Sequence, residues 1–106
     1  MARHSGAGED PEQALLVCLR HPLRKQLLRL IVEEDGRLSP KELSVFTKKY
    51  LSNVAYHVRV LVDFGAVEIV AEEKRRGSVE HFYEATSLVD EVPWGRAALG
   101  LGADAA

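Results

Sequence analysis

At 106 residues the chain is the size of one domain with a modest core, and its 46% hydrophobic and 28% charged residues are those of a folded protein rather than a disordered one. A formal net charge of −2 excludes a protein that is basic all over, so any nucleic-acid contact must rest on a local patch. The apolar-looking run Leu15–Leu19 is far too short to span a membrane and lacks a signal-peptide layout, and a single cysteine, Cys18, cannot form an internal disulfide; a cytoplasmic address is expected.

Residues 1–9 are small and polar, with two glycines, and read as a mobile arm. Asp10-Pro11 is an N-cap followed by proline at the first helical position, which opens a helix through about Leu19. Pro22 interrupts it and starts a second helix to about Glu34, with Leu23, Leu27, Leu30 and Ile31 on one face and Asp35-Gly36 as the stop. Ser39-Pro40-Lys41-Glu42 has the spacing of a capping box and predicts a third helix from Pro40 to about Lys48. Ser52 is a good N-cap for a fourth helix that runs to Phe64, where Gly65 supplies a left-handed stop.

After Gly65 the period changes to two. Val67, Ile69 and Ala71 alternate with Glu68, Val70 and Glu72; a charged turn, Lys74-Arg75-Arg76-Gly77-Ser78, follows, and alternation resumes from Val79 to Ala85. That is a β-hairpin with a basic tip. Residues 10–86 are thus expected to form the folded domain, and 87–106 a tail with Pro93 and three glycines that leaves room for a short helix.

On a helical wheel the fourth helix divides in two. Val54, Val58 and Leu61 form a core stripe flanked by Ala55 and Val62, while Ser52, Tyr56, Arg59 and Asp63 point the other way with Asn53 at the edge. A solvated polar face is the ordinary reading of such a helix. Its place after another helix and a short turn, and before a basic-tipped hairpin, instead describes a winged helix-turn-helix, whose second helix enters the major groove N-terminus first. Asn53 has the donors and acceptors to pair with adenine, Arg59 suits guanine or phosphate, and Ser52 with the free backbone N–H groups suits phosphate. From Lys41 to Tyr83 there are seven bases against six acids, so the local field is mildly positive.

Four segments, CLRHPLRKQLLRLI, LSPKEL, LSNVAYHVRVLVDFGAVEIV and RRGSVEHFYEAT, resemble successive parts of the ArsR-type (arsenic-repressor-like) winged-helix transcriptional regulators over about Leu15 to Thr86. The closest correspondence is Tyr56-His57-Val58-x-x-Leu61 with the family's recognition helix. The resemblance implies a mainly α fold of four to five helices with a two-stranded wing, and a homodimer on double-stranded DNA. By the same match Ser52, Asn53, Tyr56 and Arg59 take base- and phosphate-reading positions, and Lys74, Arg75 and Arg76 form the wing tip. The dimer interface would draw on the first and last helices, here Ala14, Leu15 and Cys18 with Trp94 and Leu99.

The departures are specific. Metal-sensing members carry paired cysteines in the third helix, where this chain has KELSVFTKKY, so no metal or other cofactor is expected. Cys18 and His21 alone do not make a zinc site, and Cys18 reads as a small buried hydrophobe. Lys48 and Lys49 stand where the family has a small or glycine turn residue and an apolar one, and would add phosphate affinity. Thr47 replaces a usual leucine, and Val45 and Phe46 lie where polar residues are common. The last pair supports an alternative, a winged-helix protein-interaction module with little or no DNA binding. His57 reads as half-buried and structural, His81 as a cross-strand packing residue, and His4 as part of the arm. No serine, cysteine or carboxylate constellation has catalytic spacing, so an enzyme is not expected.

Overall fold

The computed structural model describes residues 10–34 and 36–102; the expected arm, with His4, and Asp35 lie outside them. Among the described residues the chain forms six helices and one antiparallel hairpin, in the order α1 (Pro11–Cys18), α2 (Pro22–Glu33), α3 (Pro40–Thr47), α4 (Leu51–Asp63), β1 (Val67–Arg75), β2 (Ser78–Ala85), α5 (Leu88–Glu91) and α6 (Gly95–Ala98).

The helix starts follow local chemistry. The Asp10 carboxylate accepts from the Gln13 N–H at 2.9 Å, and the His21 ring accepts from the Leu23 N–H at 3.1 Å; each cap precedes a proline at the first helical position. Ser39 and Glu42 close the expected capping box. At the end of α4, Gly65 at φ +78° lets the Ala66 N–H reach the Leu61 carbonyl at 2.8 Å and its own N–H reach that of Val62 at 3.0 Å, a Schellman closure. The start of α4 departs from expectation. Tyr50 is its N-cap, the helix begins at Leu51, and no side chain caps it, so Ser52 stands inside the first turn. Serine is a preferred N-cap residue and tyrosine is not, so the sequence placed the cap too late.

One core joins all the helices. Leu15 and Cys18 of α1, Leu27, Leu28 and Ile31 of α2, Leu43 of α3, and Val54, Val58 and Leu61 of α4 are buried, with Leu88, Val89, Val92 and Leu99 of the C-terminal segment in the same cluster. Each such aliphatic side chain contributes about 1.5–3 kcal/mol by burial. The face of α2 is wider than its periodicity suggested: Leu28 is fully buried and Leu30 only partly so. Ala14, Leu15, Cys18 and Leu99 are at most 1% exposed within the single chain. This corrects the expectation that they form a dimer interface, because intramolecular packing already uses them. Trp94 is half-buried against the same core.

The hairpin runs in register from Val67↔Ala85 to Arg75↔Ser78, with a β-bulge that leaves Val70 unpaired. The extra residue breaks the expected alternation, and Ile69 and Val70 are both about half exposed. Leu38 adds a single antiparallel bridge to Tyr83, with N–H···O distances of 3.0 and 2.8 Å in the two directions. Thr86 ties the base of the hairpin shut: its N–H donates to the Ala66 carbonyl at 2.9 Å and its hydroxyl to that of Gly65.

Candidate nucleic-acid interface

The inner face of α4 is set by Val54, Val58 and Leu61, and His57 joins it at 7% exposure, deeper than the half-burial expected. Its ring packs against that of His21, tilted by 38° with centroids 4.2 Å apart, and lies edge-on to Tyr56 at 5.1 Å. Buried Arg24 approaches His57 Nδ1 at 3.4 Å, while its Nη2 donates to the Val17 carbonyl at 2.7 Å, at the C-terminus of α1. Burial, then the neighbouring His21 and Arg24, lowers the His57 pKa from its ordinary value. The shift favours the neutral ring. Ala55, assigned by the wheel to the flank of the core, is exposed.

With those residues committed inward, Ser52, Asn53, Tyr56, Arg59 and Asp63 face solvent, Tyr56 at 60% exposure. Arg59 lies close enough to the wing root for its charge to act on Tyr83, whose phenol burial pushes up and Arg59 pulls partly back. The uncapped start of α4 is flanked by Lys48 and Lys49, which line a recess with Ser44, Tyr50 and Asn53. Lys48 takes the left-handed conformation, φ +58°, that closes α3; among the described residues it is the one non-glycine with positive φ. Glycine is the residue that adopts this geometry without cost, so the turn has the shape that a glycine would give it. Thr47 is buried with its hydroxyl donating to the Leu43 carbonyl at 2.9 Å.

The wing separates its three bases. Arg76 and Lys74 are exposed, and the turn reverses at Gly77, φ +71°. Arg75 is engaged by the wing itself: its Nη2 donates to Glu73 and its Nε to Glu80, each at 2.8 Å. Glu73 also pairs with Arg37, whose guanidinium lies 4.4 Å above the Phe82 ring. Glu73 and Glu80 are cross-strand partners, and two carboxylates so placed repel; the shared Arg75 offsets this. Bonding to Arg75 and Arg37 holds the Glu73 carboxyl below its ordinary range, and Ser39, with Arg75, does the same for Glu80. The pair between Arg37 and Glu73 joins residues 36 apart in the chain, and those of Arg75 form across the hairpin turn, so none leaves a periodic signal in the sequence.

Among the described residues no helix is long and apolar enough to cross a membrane, and no group of three or more histidine, cysteine, aspartate or glutamate side chains converges to hold a metal. Burial raises the Cys18 thiol to about 11.

No protein-family model and no curated protein matches the chain. Among solved structures it is similar to reduced HlyU from Vibrio cholerae N16961, at 22% identity and a TM-score of 0.62, over 85% of this chain and 82% of that one. It is similar to HlyU from the same organism at the same identity and TM-score, over 85% of each chain. The likeness is one of fold, and the chain is an α+β winged helix.

Proposed function

We propose that this winged helix is a sequence-specific, DNA-binding transcriptional regulator of the ArsR type, acting as a cytoplasmic homodimer and not as an enzyme. The observation that carries the reading is the outer face of α4. Ser52, Asn53, Tyr56 and Arg59 are held in solvent by a helix whose opposite face is locked in the core, beside an uncapped N-terminus and two exposed lysines. In the major groove, Asn53 and Arg59 have the hydrogen-bonding geometry for adenine and guanine, and Ser52, Lys48, Lys49 and the first N–H groups suit phosphates. Lys74 and Arg76 extend the contact to the flanking backbone, with Arg75 bracing the wing that presents them. The similarity to HlyU supports the framework on which these side chains are mounted.

Selection from a random duplex library tests it. The expected outcome is one enriched motif, in two-fold related halves if the chain dimerises. Asn53→Ala and Arg59→Ala should relax single positions at about 1–3 kcal/mol each, while Lys74→Ala with Arg76→Ala weakens all sequences alike. Enrichment of no motif would sink the proposal.

A second reading is favoured by one observation: Val45, Phe46 and Tyr50 are 72%, 59% and 81% exposed around the α3–α4 turn. Apolar side chains so open suit a protein partner. On that reading, Phe46→Ser abolishes partner capture and Arg59→Ala leaves it intact.

A further inference from the structure

The first turn of α4 is not uniformly polar. Leu51 and Ala55, four residues apart and therefore on one edge of the helix, are exposed, Leu51 at 49%. They form one wall of a groove of about 360 Å³ whose other walls are Pro40 and Lys41 at the start of α3 and Ser78, Val79 and His81 of the wing. The groove holds the helix edge and Val79 apart, so the three do not bury one another; Val79 is itself 47% exposed.

We propose that Leu51 and Ala55 read the 5-methyl group of thymine in the major groove. This rests on the DNA-reading role of α4 proposed above and adds a base preference to it. Three features point to a duplex as the occupant. The pair stands in the N-terminal half of the helix, the part that approaches base edges, on the edge of the exposed face opposite Asn53. The surroundings match a polyanion: Lys41 lines the groove, and the groove's one carboxylate, Glu80, is held by Arg75. An exposed aliphatic edge among these polar groups has a single chemical counterpart on the major-groove floor, because only thymine carries a methyl group there.

The test uses the duplex motif enriched by the wild-type chain. Each thymine is replaced singly by uracil, which deletes the methyl group and keeps every hydrogen bond. Wild-type affinity should fall about fourfold at one or two positions, the worth of one buried methyl group. In Leu51→Ser or Ala55→Ser that loss should vanish at the position concerned, with losses at other positions unchanged. A motif without thymine, uracil substitutions that are all silent, or a uracil loss unaltered in both variants would overturn the proposal. Failure to bind any duplex at low salt is a different result, and removes the DNA-reading role itself. The uracil series on wild-type protein needs no variant to fold.

Discussion

Lys48 occupies a backbone conformation that favours glycine, and it is exposed beside Lys49. The left-handed region costs a β-carbon-bearing residue about 1–2 kcal/mol, partly offset by the greater unfolded freedom of glycine. Lys48→Gly is therefore expected to raise stability by about 0.5–1 kcal/mol in denaturant unfolding while lowering DNA affinity. Unchanged stability would mean that the turn relaxes around the lysine. His57 provides a second prediction at this scale. Its folded pKa lies below the ordinary 6.5, so its neutral form stabilises the native state. That contribution is complete above pH 6.5 and is lost as acidification carries the ring through its lower folded pKa. The groups facing it, Arg24 from α2 and His21 before it, bring no carboxylate to neutralise an imidazolium. The melting temperature should fall between pH 7 and 5, and less so in His57→Phe; an identical pH profile in the two proteins contradicts the assignment. Amphipathic spacing placed His57 at the border of the core. Its burial beside His21 and Arg24 is something that no spacing within α4 reveals.

Among the elements, those with local signals were legible in advance: three of the four long helices start at a proline behind a side-chain cap, and Gly65 ends the fourth. The start of α4 was misplaced because its true N-cap, Tyr50, makes no capping bond, and the bulge at Val70 was missed because an inserted strand residue keeps its strand-forming character. The C-terminal segment was read as a tail, since two four-residue helices among proline and glycine have no periodicity to detect. Its attachment depends on one close approach. A β-carbon on Gly95 would stand 2.2 Å from the Val89 carbonyl oxygen, a backbone atom that cannot swing away. Gly95→Ala is expected to destabilise the chain by about 1–3 kcal/mol through overpacking, measured by chemical denaturation. A wild-type midpoint would show that α6 is dispensable to the core that Leu88, Val89, Val92 and Leu99 share with α1.

At the scale of the whole molecule, a chain with a net charge of −2 can bind a polyanion only by concentrating its free cations on one face. On the wing Arg37 and Arg75 pair with Glu73 and Glu80, while Lys48, Lys49, Arg59, Lys74 and Arg76 remain exposed. The fold and the outward face of α4 could be read from the order of capped helices, glycine stop and hairpin. Which of the basic residues remain free could not, because that depends on ion pairs formed only in the folded chain. The most direct measurement is duplex affinity as a function of salt, for the wild type and for Lys49→Ala with Arg76→Ala. The wild type should bind tightly at low salt and lose affinity linearly on a log–log plot, and the double variant should show a slope shallower by about 0.9 for each phosphate contact removed. Binding that is absent at low salt, or a slope the same in both proteins, would contradict the account.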